Sequence, residues 1–164
     1  MMYCIYLLSL IYFAASMGIA SAQRSVPMTF TLPMIDGTAF VRLADFVGRP
    51  VLINFWSSAC QSCLKEMPVL LAYAKEHPDV QFLGVAVDSR SSAVRFLAEQ
   101  PSMYPQLIAV AQPEVLLRRF GDTYAALPHT VVLDATHSVC AIKTGEIDRV
   151  WIQAALIACD KPKK

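Results

Sequence analysis

The stretch from Val51 to Pro68 constrains the fold of this chain more than any other part of the sequence. It begins with a continuous apolar run, Val51 to Trp56, in which Asn54 is the only polar residue. A run of this length predicts a strand that is buried on both faces of a sheet. Four residues later, Cys60 and Cys63 mark the start of a helical pattern, whose apolar positions are Leu64, Met67, Leu70, Leu71 and Tyr73. The two thiols therefore lie where a central strand passes into a helix.

A cysteine at the start of a helix is favoured in its thiolate form. The backbone N–H groups there have no intrahelical partner, and the helix dipole adds partial positive charge. Such a position lowers the pKa of a cysteine to roughly 3.5–7.5, from about 8.5 for a free thiol. Cys63 lies further into the helix, where it can attack a mixed disulfide formed at Cys60. We interpret the pair as a redox-active disulfide that needs no other cofactor, with Cys60 as the attacking thiol and Cys63 as the resolving thiol.

A zinc site is the other common interpretation of a Cys-x-x-Cys motif. Structural zinc requires four ligands, usually in paired clusters. The chain has no second Cys-x-x-Cys motif, and its remaining candidate ligands lack zinc-finger spacing: His77, His129, Cys140 and Cys159. The strand–motif–helix context therefore favours redox chemistry, and we predict no metal at this site.

Length and charge limit the classes of protein that this chain can belong to. With 164 residues it can build one core, so we expect one domain and a monomer. Its 14 basic and 13 acidic side chains give a net charge of +1, without a cluster of Lys or Arg. This balance argues against an electrostatic nucleic-acid binder.

The amino terminus has the composition of an export signal. Residues 1–22 contain no charged side chain and end in Ala-Ser-Ala, which resembles a signal-peptide cleavage site. An uncleaved membrane anchor is the alternative, because about 20 apolar residues can span a bilayer. We predict a linker over residues 23–27, a folded domain over 28–160 and a solvated tail over 161–164. In either case the domain is expected to be exported, either periplasmic or anchored to the membrane facing the periplasm.

The rest of the chain alternates strand and helix patterns around an Asp-Gly turn and a second turn near residue 135. The strands are predicted at Phe30–Pro33, Ala39–Leu43, Val80–Val87, Gln106–Val110, Thr130–Leu133 and Ser138–Lys143. Helices are predicted at Ser91–Gln100, Pro113–Phe120 and Ile147–Cys159, with inward-facing residues Val94, Phe96, Leu97, Val150, Ile152, Ala155 and Leu156. The pattern predicts an α/β fold with a mixed central sheet covered by helices on both faces and an N-terminal β-hairpin.

The motifs resemble the thioredoxin superfamily, and most closely its secreted TlpA/ResA-type branch. The matching segments are Asn54-Phe-Trp56, the Cys60–Cys63 motif with Glu66-x-Pro68 after it, and Leu127–Asp134, which resembles a cis-proline loop and the strand that follows it. The resemblance extends from about Met28 to Ala158. It implies a thioredoxin-like fold with an N-terminal β-hairpin and a strand–helix insertion before the cis-proline strand.

The same resemblance gives Glu66 a role. Many thioredoxins carry a buried Asp in the central strand to move protons to and from the second cysteine, but the residue here is Asn54, which cannot titrate. The secreted branch instead has a Glu three residues after the second cysteine, and Glu66 matches it. This implies that Glu66 is a catalytic proton relay. The alternative is a solvated surface carboxylate.

The family also suggests how a substrate would bind. A cis bond before Pro128 would place the backbone of Leu127 opposite Cys60, where it can pair with an extended substrate segment. Trp56 is expected to pack beneath the site, and we assign Trp56, Leu127 and Pro128 to substrate binding. Ala59 stands where the family often has Trp, so the partner is left open.

We predict an exported thiol–disulfide oxidoreductase that reduces protein disulfides, such as those of cytochrome c apoproteins or copper-site proteins, and is recharged by a membrane electron donor. One alternative is a copper chaperone that uses Cys60, Cys63 and His129. The other is a thiol peroxidase, although its motif needs Pro at the position of Ile53. Two further cysteines, at positions 140 and 159, are either buried free thiols or a structural disulfide.

Overall fold

The computed structural model describes residues 27–160. The predicted signal peptide or anchor (1–22), most of the predicted linker (23–27) and the predicted tail (161–164) lie outside the described residues. Within residues 27–160, no helix is both long and apolar enough to cross a membrane.

The described residues form a five-stranded mixed sheet and a separate two-stranded hairpin. The hairpin consists of β1 and β2, and the central sheet has the order β5-β4-β3-β6-β7. Strands β3, β4 and β5 are parallel, whereas β6 is antiparallel to both β3 and β7. The strands are β1 (Thr31–Pro33), β2 (Phe40–Arg42), β3 (Val51–Trp56), β4 (Gln81–Ala86), β5 (Gln106–Ile108), β6 (His129–Leu133) and β7 (Val139–Thr144). The helices are a 3-10 turn (Leu43–Phe46), α1 (Gln61–Glu76), α2 (Arg90–Glu99), α3 (Pro113–Arg119) and α4 (Arg149–Cys159).

The central strand β3 separates the two halves of the core. All six of its residues are buried, and successive side chains point to opposite faces of the sheet. Val51, Ile53 and Phe55 pack with the hairpin and with α3 on one face. Leu52 packs with residues of α1 and α4 on the other. This confirms the predicted mixed sheet with helices on both faces.

The prediction that Val94 and Val150 face inward is wrong. Val94 is 46% exposed and Val150 is 75% exposed. In α2 the small side chain of Ala93 takes the buried position beside the half-buried Phe96 and Leu97. In α4 the inner face is formed by residues three and four apart, beginning at Ile152, and Val150 lies two positions earlier, on the opposite side.

Local capping sets several element boundaries. The last helix begins at Arg149 rather than at Ile147, because Asp148 Oδ1 accepts a hydrogen bond of 2.8 Å from the backbone N–H of Trp151. Pro113 occupies the first turn of α3, as predicted, where its missing N–H is not needed.

The second cysteine pair joins the end of α4 to the edge strand of the sheet. Cys140 lies in β7 and Cys159 is the last residue of α4, and their Cα atoms are 5.3 Å apart. The structure joins the two sulfurs in a disulfide. Of the two alternatives that the sequence left open, the structure therefore adopts the disulfide.

Candidate functional site

The two motif cysteines lie at the start of α1, as predicted. Cys60 is the N-cap residue and has an extended backbone, with φ −93° and ψ 102°. Its Sγ accepts a hydrogen bond of 3.1 Å from the backbone N–H of Cys63. The two residues form a disulfide, with their Cα atoms 5.2 Å apart. A thiolate on Cys60 would therefore face a helix N-terminus that already donates to its sulfur.

The two sulfurs differ in accessibility. Cys63 is fully buried, whereas Cys60 is half-buried. Cys63 belongs to a small apolar cluster with Ile35, Trp56 and Met67. An external disulfide can therefore reach Cys60, and Cys63 is protected until it attacks from within the protein.

Glu66 lies one turn of α1 beyond Cys63 and is almost completely buried, at 1% exposure. Its Oε1 accepts a hydrogen bond of 2.6 Å from Asn54 Nδ2, and its Oε2 accepts one of 2.9 Å from the backbone N–H of Ile147. Burial raises the pKa of Glu66 from an ordinary value of 4.5 to about 7, and these two hydrogen bonds limit the rise. The carboxylate is therefore not a solvated surface group. It can exchange a proton near neutral pH, and its role as a relay stays a prediction.

The predicted cis-proline loop is present. The peptide bond between Leu127 and Pro128 is cis. Leu127 is half-buried and packs on the same apolar cluster as Cys60. Pro128 is buried, and its carbonyl accepts a hydrogen bond of 2.8 Å from Gly145 N–H. The loop therefore lies close to the reactive cysteine, and its contact with a substrate stays a prediction.

Trp56 supports the site from beneath. Its side chain is fully buried, its ring lies 5.2 Å from that of Phe96, and its Nε1 donates a hydrogen bond of 2.9 Å to Gln106 Oε1. The ring packs beneath the site, as predicted, in the apolar cluster that contains Cys63. Its assignment to substrate binding stays a prediction, in which the buried ring would act by supporting the residues around it.

His129 does not face the sulfurs as an open ligand. It is fully buried, and its ring nitrogens lie 2.9 Å from Thr144 Oγ1 and 3.0 Å from the carbonyl oxygen of Phe120. Within the described part of the chain, no group of three or more His, Cys, Asp or Glu residues could hold a metal ion. The copper site that the sequence suggested for Cys60, Cys63 and His129 is therefore not assembled in this structure.

Sequence reasoning missed two residues near the motif. Thr130 Oγ1 accepts a hydrogen bond of 3.0 Å from Asn54 Nδ2. Asp88 accepts hydrogen bonds from Ser57 and Ser58, in the loop before Cys60. One signal in the sequence pointed to Asp88, which directly follows the predicted strand Val80–Val87. The carboxyl ends of neighbouring parallel strands meet at one edge of a sheet, so Asp88 was placed to lie near the loop that follows β3.

Comparisons with known proteins agree with this geometry. Residues 23–142 match the model of the AhpC/TSA family. The chain is 34% identical over 122 residues to the thiol:disulfide interchange protein DsbE of Pseudomonas fluorescens biotype C, covering 74% of this chain and 66% of that protein. It is 30% identical over 139 residues to the thiol–disulfide oxidoreductase ResA of Geobacillus thermodenitrificans, covering 84% of this chain and 78% of that protein.

Solved structures show the same fold. The structure of MTB dsbF superposes with a TM-score of 0.70 at 26% identity, covering 82% of this chain and 99% of that one. A thiol:disulfide interchange protein of Chlorobium tepidum superposes with a TM-score of 0.69 at 22% identity, covering 83% and 98%.

Proposed function

Because the chain belongs to the AhpC/TSA family and is a thioredoxin-like thiol–disulfide oxidoreductase, we propose that it is an exported reductant of protein disulfides. One observation carries this proposal: Cys60 is accessible at the N-cap of α1, with Cys63 fully buried one turn behind it. This arrangement supplies one thiol for attack from outside and one for release from inside.

The exchange is a two-electron transfer between sulfurs. The Cys60 thiolate attacks one sulfur of the substrate disulfide, so that a mixed disulfide forms and the other substrate sulfur leaves as a thiolate, which takes up a proton. Cys63 then loses its proton and attacks Cys60 Sγ. The Cys60–Cys63 disulfide forms, the second substrate sulfur is released, and the substrate has gained two electrons and two protons in total.

Glu66 is proposed as the group that takes the proton from Cys63 during resolution. The support for this role is its position one turn beyond Cys63, its burial and a pKa raised to about 7. A carboxylate with a pKa near the working pH is suited to accept and return a proton. The neighbouring Asn54 cannot perform this step, because an amide does not titrate.

The substrate is proposed to bind as an extended segment against Leu127 and Pro128. This loop is largely apolar and packs near Cys60. Cytochrome c apoproteins and copper-site proteins are the proposed substrates, and a membrane dithiol is the proposed electron donor. Export is supported by the uncharged residues 1–22 and by the second disulfide, because structural disulfides persist in oxidising compartments.

A trapping experiment with a defined substrate tests this function. The substrate is a peptide with an oxidised Cys-x-x-Cys-His haem-attachment motif. We expect the reduced protein to reduce this peptide, the Cys63→Ser variant to accumulate a mixed disulfide at Cys60, and the Cys60→Ser variant to do neither. Trapping through Cys63 in the Cys60→Ser variant would reverse the assignment. Turnover of hydrogen peroxide without reduction of the peptide would favour a thiol peroxidase.

A further inference from the structure

A carboxylate from the neighbouring strand holds the loop that leads into the redox motif. Asp88 lies just beyond the end of β4. Its Oδ1 accepts a hydrogen bond of 2.8 Å from Ser57 Oγ, and its Oδ2 accepts one of 2.5 Å from the backbone N–H of Ser58. The residues that it binds lie 31 and 30 positions earlier in the chain, between β3 and α1.

These contacts are part of a network that occupies three successive backbone donors before the helix. Ser58 N–H binds Asp88, Ala59 N–H donates to Ser57 Oγ at 3.2 Å, and Cys60 N–H donates to the carbonyl of Ser57 at 3.1 Å. Further along, in the first turn of α1, the backbone N–H of Cys63 donates a hydrogen bond to Cys60 Sγ. The position of the Cys60 sulfur over the helix thus depends on a loop whose hydrogen bonds lead back to Asp88.

The loop has few other means of support. Ser57 and Ser58 are small and half-buried, and Ala59 is exposed, so side-chain packing contributes little to its conformation. The pairing of β3 with β4 brings Asp88 to the right edge, because Val87 N–H still donates to the carbonyl of Trp56 at 2.9 Å. Asp88 continues this pairing by one residue with its side chain.

Among residues 27–160, Asp88 takes part in no salt bridge. The nearest cation in the sequence is Arg90, and its guanidinium donates instead to the carbonyls of Met34 and Ile35, at 3.0 and 2.5 Å. Ser57 and Ser58 are thus the partners that the structure gives to Asp88. A carboxylate that accepts two hydrogen bonds from one short loop restrains that loop strongly.

We propose that Asp88 is a positioning residue for thiol–disulfide exchange, which fixes the loop of residues 57–59 and so holds the Cys60 sulfur at the N-terminus of α1. The effect on Cys60 has a definite sign. A correctly placed sulfur gains from the helix N-terminus, which favours the thiolate. The negative charge of Asp88 by itself would disfavour a thiolate nearby. If positioning is the function, removing Asp88 makes Cys60 less reactive, although a negative charge has been removed.

The test is the pH dependence of Cys60 alkylation by iodoacetamide in the fully reduced protein, with the adduct located by mass spectrometry. We expect Asp88→Ala to slow alkylation at pH 7 by about threefold to tenfold and to move the rate–pH profile to higher pH. Asp88→Asn keeps the shape of the side chain and one acceptor oxygen, so it should slow alkylation less than Asp88→Ala. The double variant with Ser57→Ala should lose less than the sum of the two single losses, because the hydrogen bond between Ser57 Oγ and Asp88 is removed by either substitution.

Ser89→Ala is the matched control. Ser89 is the neighbouring residue and caps α2, because its Oγ accepts a hydrogen bond of 3.2 Å from the backbone N–H of Ser92. The hydrogen bonds of its side chain among the described residues go to Ser91 and Ser92, not to the loop. Its replacement should leave the Cys60 profile unchanged. The inference is overturned if Asp88→Ala and Asp88→Asn lower the melting temperature but leave the Cys60 profile unchanged, or if either variant makes alkylation faster. It rests on Cys60 as the attacking thiol, which the trapping experiment tests separately.

Discussion

Asn54 Nδ2 donates a hydrogen bond of 2.6 Å to Glu66 Oε1, between two side chains that are each 1% exposed. The bond joins the central strand to the active-site helix one turn beyond Cys63. Asn54 Oδ1 has no hydrogen-bond partner among the described residues. Rotation of the amide would let this oxygen accept the proton of a neutral Glu66. The pair can therefore serve both protonation states of the carboxyl group.

The raised pKa of Glu66 predicts a specific dependence of stability on pH. The pKa is about 7 in the folded protein and 4.5 ordinarily, so between these values the folded chain binds more protons than the unfolded chain. The free energy of unfolding attributable to Glu66 is therefore highest below pH 4.5 and falls as the pH rises towards 7. The loss should be on the order of 3 kcal/mol, since one pKa unit corresponds to about 1.4 kcal/mol.

Urea unfolding of the wild type and of Glu66→Gln across pH 4 to 8 measures this effect. All other titrations are shared by the two proteins. The difference between their free energies of unfolding should therefore change between pH 4.5 and about 7 and stay constant outside that range. Asp45→Asn is a suitable control, because that carboxylate pairs with Arg42 at the surface. A difference that does not vary with pH would mean that Glu66 titrates at an ordinary value.

The same variant should slow the second half of the exchange reaction. Glu66→Gln keeps the shape and the acceptor for Ile147 N–H but cannot take a proton from Cys63. We expect resolution of the mixed disulfide to slow by about 10²-fold or less, within the contribution of general acid–base catalysis, and its pH dependence to change. Stopped-flow reduction of a model disulfide across pH decides this. An unchanged rate–pH profile would exclude the relay.

Much of the fold was predictable because its strongest signals are local. The run from Val51 to Trp56 is a strand with the predicted bounds, since six apolar or amide residues between Pro50 and a polar loop have no other good arrangement. The short helices were harder. The amphipathic pattern of α2 favoured Val94 for the inner face, but the fully buried residue is its neighbour Ala93, which packs in one cluster with Phe96 and Leu97.

The site was predictable where one motif contains it and not where two distant segments meet. The cysteines and Glu66 lie on one helix, so their spacing places them on a common side. The contact of Asp88 with Ser57 depends on the register of β4 against β3, which no local pattern states. The burial of Trp56 likewise depends on Phe96 and Gln106, from elements much later in the chain.

The disulfide between Cys140 and Cys159 should stabilise the fold without taking part in catalysis. It lies near the end of β7 that pairs with Leu133. The loop of Leu127 and Pro128, which adjoins the active site, lies next to the other end of β7, which pairs with His129. The cross-link closes a loop with a sequence separation of 19 residues. Its removal by Cys140→Ser with Cys159→Ser should lower the free energy of unfolding by about 3 kcal/mol.

Urea unfolding without reductant measures this loss, and the rate of disulfide exchange should stay within twofold of wild type, or about 0.4 kcal/mol. Under reducing conditions that open both pairs, the variant and the wild type should become similar in stability. Equal stability of the two proteins without reductant would show that the second pair does not constrain the chain.

Gly84→Ala should damage the support that the neighbouring strand β4 gives to the active site, because Gly84 pairs with Asn54 and lies on the face of the sheet that carries Trp56. A Cβ at Gly84 would lie 2.5 Å from Gln106 Cδ and 2.6 Å from Nε2, and closer still to Oε1, so the whole carboxamide must move. That carboxamide accepts the hydrogen bond from Trp56 Nε1 and donates one to Ser102 Oγ. Overpacking and a buried donor without a partner together predict a loss of about 2–4 kcal/mol in the free energy of unfolding.

A double-mutant cycle with Gln106→Ala shows whether the carboxamide is the cause. In Gln106→Ala the Trp56 hydrogen bond is already absent and the space beside Gly84 is open, so adding Gly84→Ala should cost less than about 0.5 kcal/mol. Trp56 fluorescence, recorded in a Trp151→Phe background, should shift in Gly84→Ala and in Gln106→Ala alike. Additive losses in the double variant would instead place the cost of an alanine at position 84 in the strand itself, since Gly84 pairs with Asn54 on one side and with Gln106 on the other.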